Sequence, residues 1–107
     1  MMNLYYNPEE FGLTQVAEID YSDRYYVFDR RVVWQHESGA FYTARDSGCS
    51  CPSPFEDYHG VKELDRLDFA VLEREARARG CVEDWQHAHV SLEECEAFLD
   101  TVRKAIG

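Results

Sequence analysis

Tyr25-Tyr26-Val27-Phe28-Asp29-Arg30-Arg31-Val32-Val33-Trp34-Gln35-His36, then Glu37-Ser38-Gly39-Ala40, then Phe41-Tyr42-Thr43-Ala44-Arg45: two stretches rich in aromatic and β-branched side chains flank four residues that include one glycine. Side chains of that kind fit a pleated, half-buried surface better than a helix. The stretch therefore reads as a strand over 25–36, broken near Asp29-Arg30-Arg31, a hairpin turn at 37–40 and a return strand over 41–45. Val32-Val33-Trp34 is expected to face Phe41-Tyr42-Thr43 across an antiparallel pair.

Working outward, Leu13, Gln15, Ala17 and Ile19 alternate with Thr14, Val16, Glu18 and Asp20, the pattern of a first strand with one buried face. Tyr21-Ser22-Asp23-Arg24 reads as the turn between the strands. Ahead of the first strand, Asn7-Pro8-Glu9-Glu10-Phe11-Gly12 reads as one helical turn. Asn7 is placed to cap it, Pro8 to start it and Gly12 to stop it. Downstream the period changes from 2 to 3.6. Val61, Leu64, Leu67, Val71, Leu72 and Ala76 form one stripe that predicts a helix over about 61–79, with Gly80 as its stop. Ser91 followed three residues later by Glu94 is a capping box, and Leu92, Cys95, Phe98, Leu99, Val102 and Ile106 predict a second helix over 92–106. Residues 81–90 carry Trp85, His87 and His89 with no decisive period.

Strands first and helices afterwards predict an α+β class. A β-meander of three to four antiparallel strands over 13–46, a Cys/Pro loop over 46–60 and two helices on one face of the sheet make a single domain over 1–107. At 107 residues, with 45% apolar and 14% aromatic content, the chain has enough apolar surface for one core despite a net charge of −10. The charge is spread along the chain: 10 acidic against 4 basic residues over 1–60, and 11 against 7 over 61–107. A field of this sign repels phosphate backbones and attracts basic proteins, including those that themselves bind nucleic acid. Direct nucleic-acid binding is therefore not expected. No apolar run approaches the ~20 residues of a membrane helix, and the amino end has neither a basic region nor an apolar signal core, so a cytoplasmic location is expected. In that reducing compartment Cys49, Cys51, Cys81 and Cys95 read as free thiols, with Cys95 a small hydrophobe on the apolar stripe of the last helix.

The chemistry-bearing residues gather in Asp46-Ser47-Gly48-Cys49-Ser50-Cys51-Pro52-Ser53-Pro54-Phe55-Glu56-Asp57-Tyr58. Pro52 and Pro54 fix φ and remove two backbone donors, so turns and side-chain contacts must set its shape. Three readings use these residues. In the first, Phe55 and Tyr58 are aromatic anchors on a rigid frame rimmed by Asp46, Glu56 and Asp57, with Cys49 and Cys51 in the same surface, for a protein partner. Its counterpart has Phe55 and Tyr58 tucked into the core, tying sheet to helix. In the second, Cys49, Cys51, His59 and one of His87 or His89 hold a structural zinc. The single residue between Cys49 and Cys51 departs from the usual spacing of two to four, and no cofactor is expected. In the third, Cys49 or Cys51 is a thiol nucleophile activated by His59 or His87. The binding reading asks least of geometry and is the one carried forward, without enzymatic activity.

The string from Asp46 to Asp57, together with Tyr5-Tyr6-Asn7-Pro8-Glu9-Glu10-Phe11-Gly12-Leu13 and Val32-Val33-Trp34, resembles a family of small proteins of actinobacteriophages and some of their hosts, whose domain has no assigned function. The resemblance covers about residues 5 to 60. It implies a phage accessory protein acting in the bacterial cytoplasm on a host or phage protein, and it carries no catalytic residues.

Overall fold

The computed structural model describes residues 4–21, 27–49, 55, 58, 60–80 and 92–107. Among them four strands, β1 (Leu13–Asp20), β2 (Val27–His36), β3 (Phe41–Cys49) and β4 (Asp65–Arg66), form one antiparallel sheet in the order β1-β2-β3-β4. Two helices follow, α1 (Phe69–Gly80) and α2 (Leu92–Ile106). This is the expected α+β meander, with the fourth strand reduced to two residues. The turn expected at 21–24 and the segment 81–90 lie, beyond Tyr21, outside the described residues.

The hairpin forms without a break at Asp29-Arg30-Arg31, but its register is one residue off the expected one, Val32-Val33-Trp34 facing Tyr42-Thr43-Ala44, and β3 runs past Arg45 to Cys49. Val33 faces Thr43, Trp34 faces Tyr42 and Gln35 faces Phe41. The His36 N–H donates to the Ala40 carbonyl at 2.7 Å and the Gly39 N–H to the His36 carbonyl at 2.8 Å, with Gly39 at a φ of 96° that a side chain would resist.

β1 departs from its expected single buried face. Pairing with β2 slips between Gln15 and Ala17, a bulge centred on Val16, so the alternation changes phase halfway along. Leu13 opposes His36 and buries with Val32 and Trp34 on one face of the sheet, whereas Ile19 opposes Arg31 and buries with Val33 on the other.

Each face carries its own core. On one, Val33 and Ile19 meet Leu72 and Ala76 of α1 and Cys95, Phe98, Leu99 and Val102 of α2. Leu99, Val102, Cys95 and Val33 are fully buried, at about 1.5–3 kcal/mol for each aliphatic side chain. On the other face Val32, Trp34 and Ala44 are covered by Leu4 and Phe11 from the amino end and by Phe55, Tyr58, Val61 and Leu64. The helices thus lie on one face as expected, and the amino-terminal segment with Phe55, Tyr58, Val61 and Leu64 closes the other.

The first helix begins at Phe69 rather than near 61. Asp68 caps it, its Oδ1 accepting from the Ala70 and Val71 N–H groups at 3.1 and 3.4 Å. Val61–Glu63 is instead a 3₁₀ turn, and Asp65 and Arg66 pair with Thr43 and Tyr42. Val61 and Leu64 therefore belong to the opposite core from Leu72 and Ala76. The second helix has the bounds read from sequence; its expected cap, Ser91, lies outside the described residues. The turn after Asn7 is 3₁₀, over Pro8–Phe11, and Asn7 makes no side-chain cap bond.

Inter-element polar contacts hold the layers in register. The Tyr21 hydroxyl donates to the Ala76 carbonyl at 3.1 Å, Arg31 meets Glu75 at 2.8 Å, and Arg77 reaches across from α1 to Glu96 of α2 at 2.9 Å.

Candidate binding surface

Asp46 opposes Arg30 in the β2–β3 ladder, which points its carboxylate to the face opposite the helices. There Oδ2 accepts the Phe55 N–H at 2.7 Å. This charge-assisted bond holds Phe55 at a φ of 61°, in the left-handed region that a bulky residue rarely adopts. The ring is fully buried, stacked on Tyr5 at 5.9 Å and edge-on to Trp34 at 5.4 Å and Tyr58 at 5.3 Å. Phe55 is thus a core plug and is withdrawn from the anchors offered to a partner. Tyr58 stays half-buried, with its hydroxyl donating to the Arg45 carbonyl at 3.4 Å. Burial raises its pKa, with Asp46, Asp65 and Glu63 adding to the effect. Cys49 ends β3 opposite Val27, its side chain outside the description; Cys51, Pro52, Pro54, Glu56 and Asp57 also lie outside the described residues.

Beside Phe55 the structure assembles a group that sequence reasoning missed. Arg30 sits 5.1 Å over the Tyr5 ring, donates to the Tyr5 hydroxyl, and lies 3.2 Å from Asp20 and 3.6 Å from Glu18. The two carboxylate contacts are ion pairs by distance rather than aligned hydrogen bonds. Burial, reinforced by a hydrogen bond to Glu18 and its negative charge, pushes the Tyr5 pKa up to about 12. Antiparallel pairing of Asp20 with Arg30 and of Arg30 with Asp46 lays an acid-base-acid row across three strands. It pins the amino-terminal segment, through Tyr5, onto the sheet.

At the hairpin end of the sheet, an open cleft of about 410 Å³ is lined by Glu9, Gly12, Leu13, Thr14, Gln35, His36, Glu37 and Gly39. Nδ1 of His36 accepts the Ser38 N–H at 3.1 Å, so in the neutral ring the proton resides on Nε2. Glu9 and Glu37 are exposed, and no Lys or Arg lines the cleft among the described residues. Gly12 lines it as the left-handed end of the Pro8–Phe11 turn, at a φ of 72°, with a Cβ there meeting the Glu37 carboxyl carbon at 3.1 Å and His36 Nε2 at 3.2 Å. Gly12→Ala is expected to lower stability by about 1–2 kcal/mol, and Gly12→Asn by less, in urea melts. Equal midpoints for Gly12→Ala and wild type would contradict this backbone assignment.

Several cations among the described residues are committed within the chain. Arg30, Arg31, Arg77, Arg103 and Lys104 all lie in ion pairs with carboxylates, and Arg66 covers the Tyr42 ring at 5.7 Å. Glu9, Glu10, Glu37 and Glu93 are exposed. Among the described residues no group of three or more His, Cys, Asp and Glu side chains is arranged to hold a metal. The residues of the zinc and thiol readings (Cys49, Cys51, His59, His87, His89) have side chains outside the description.

Cys95 corrects the free-thiol reading. It is fully buried as expected of its stripe, but it is disulfide-bonded. Sulfur pairing of this kind is not visible from helical periodicity.

No curated protein and no solved structure matches the chain. A family model does match, over residues 2–107, and by that coverage the chain belongs to the family of the domain of unknown function DUF7574.

Proposed function

We propose that the protein is a non-enzymatic binding module that takes a basic protein partner on its acidic surface. The observation that carries this reading is the cleft at the hairpin end, bordered by Glu9 and Glu37, with no cation among its described lining residues, on a chain of net charge −10. A cationic side chain entering it meets two carboxylates that need not be stripped from internal ion pairs, which favours fast, salt-sensitive association. Tyr58, half-exposed beside the buried Phe55, is the aromatic of the Cys/Pro loop that remains available to a contact. The resemblance to actinobacteriophage proteins makes the partner a host or phage protein met in the bacterial cytoplasm, one that itself binds nucleic acid being the natural candidate. Nucleic acid itself is not the ligand, since the field repels it. No described helix is long and apolar enough to cross a membrane.

The test is affinity capture from actinobacterial lysate with wild type and a Glu9→Gln/Glu37→Gln variant, at low salt and at ~0.5 M salt, where charges are screened beyond about 4 Å. A basic protein retained by wild type at low salt, and lost in the variant and at high salt, is the expected result. Equal recovery by both proteins, or recovery of acidic partners, overturns the reading.

A further inference from the structure

His36 ends β2 where the strand enters the hairpin turn, and its two ring nitrogens have separate surroundings. Nδ1 accepts the Ser38 N–H at 3.1 Å and lies 2.9 Å from the Ser38 hydroxyl, which in turn accepts the Ala40 N–H at 3.5 Å. Nε2 faces the bare Cα of Gly12. The point where a Gly12 Cβ would stand is 3.2 Å from Nε2 and 3.3 Å from Glu37 Oε2, so ring and carboxylate converge on one gap left by a missing side chain. The Glu37 N–H donates to the Gly12 carbonyl at 2.8 Å, which fixes the turn against the amino-terminal segment. The charged groups around the ring are Glu9 and Glu37 in the cleft and Arg66 of β4, which lies over the Tyr42 ring at 5.7 Å. Tyr42 of β3 is edge-on to His36 at 6.3 Å, and Leu13 and Thr14 of β1 carry no charge.

We infer that His36 is a proton switch that sets both the shape of the hairpin turn and the charge of the cleft, holding a basic partner near neutral pH and releasing it on acidification. The inference rests on the acidic-surface reading and adds its regulation. Imidazole is the side chain that changes charge between about pH 5 and 8. Its neutral form, with the proton on Nε2, offers Nδ1 as the acceptor that the Ser38 N–H uses. The charged form has a donor on both nitrogens, so the Ser38 N–H then faces another N–H and its bond is lost. Nδ1–H turns to the Ser38 hydroxyl, already within reach at 2.9 Å as an acceptor. On the other side of the ring, Nε2 brings positive charge to the Glu37 carboxylate across Gly12 and partly neutralises one of the two acids open to a cationic side chain. Both changes act together. The turn loosens and the cleft loses negative charge, while ordinary carboxylates keep their own charge down to about pH 5.

The experiment follows the full chain by NMR between about pH 7.5 and about pH 5.5, a range that spans imidazole titration, and measures the binding of a hexalysine peptide at both ends. The ring nitrogen resonances are expected to report the Nε2–H form at the upper end, and the Ser38 amide proton is expected to move upfield in step with ring protonation. Hexalysine is expected to bind about 5-fold more weakly at the lower pH, the effect of losing roughly one exposed ion pair. His36→Gln, which takes no proton, is expected to lose the Ser38 titration and to hold its hexalysine affinity within about 2-fold across the range. The chain's other three histidines are intact in that variant and serve as its control. An Nδ1–H tautomer, a Ser38 amide that does not follow the ring, or the same pH dependence in His36→Gln overturns the inference. Hexalysine bound equally at both pH values overturns it and leaves the acidic-surface reading standing, and hexalysine bound at neither overturns both.

Discussion

Phe55→Ala is expected to remove about 3–5 kcal/mol of stability, the cost of an aromatic deleted from a packed interior. For a chain of this size that is a large part of the whole, since domains are stable by roughly 5–15 kcal/mol. The ring is completely buried against Tyr5, Trp34 and Tyr58, so nothing flexible stands ready to fill the void. Its removal also takes away the stack that joins Phe55 to Tyr5 of the amino-terminal segment. Asp46→Ala, which takes away the acceptor of the Phe55 N–H, should cost about 1.5–3 kcal/mol, and Asp46→Asn less, because the amide oxygen still accepts. Urea denaturation of the three variants checks the order. If Phe55→Ala melts within ~1 kcal/mol of wild type, the ring is not a core plug. Tyr58→Ala, at a half-exposed position, is the variant that probes binding without collapsing this core.

The same residue shows where sequence reading stops. The density of Cys and Pro around Phe55 marks an irregular segment that side-chain contacts must hold. Whether the aromatic inside it faces a partner or the core depends on a hydrogen bond from Asp46, nine positions away, and on rings supplied by Tyr5 and Trp34. The second helix is the opposite case. Its stripe from Leu92 to Ile106 is a local property of fifteen consecutive residues, and it has the bounds that the pattern predicts. The first helix fails instructively. Val61, Leu64 and Leu67 keep helical spacing with Val71 and Leu72, yet three apolar residues at that spacing also suit a turn followed by a short strand. Pairing of Asp65–Arg66 with β3 decides the matter, and the helix waits for a proper cap at Asp68. The bulge at Val16 is still less legible, because it is a property of the pairing of two strands and of neither sequence alone.

Arg30 carries the second large effect. Its guanidinium is the shared counter-charge for Glu18 and Asp20 and lies against the Tyr5 ring, each of the three ion-pair side chains being only about a quarter exposed (27%, 26% and 23%). Arg30→Met keeps the apolar stem and leaves two carboxylates facing each other without it. Loss of a partner from a fully buried pair costs about 3–5 kcal/mol, and partial exposure here reduces the expectation to about 2 kcal/mol. A spectroscopic readout accompanies the melt. Tyr5 ionises at about 12 in the fold against 10.0 unperturbed, so the folded state favours the protonated phenol. The stability that this contributes is present in full below pH 10 and drains away as the pH rises through about 12. Burial is the main cause and Glu18 adds to it, whereas the positive charge of Arg30 opposes it. Arg30→Met should therefore drive the Tyr5 pKa higher still, and Glu18→Gln should bring it down, as read from the ring carbon resonances of Tyr5 in an alkaline titration. Shifts in the same direction for both variants would mean that Tyr5 senses only a general loosening of the amino-terminal segment. Opposite shifts tie the phenol, the guanidinium and the carboxylate into one electrostatic unit clamping that segment to the sheet.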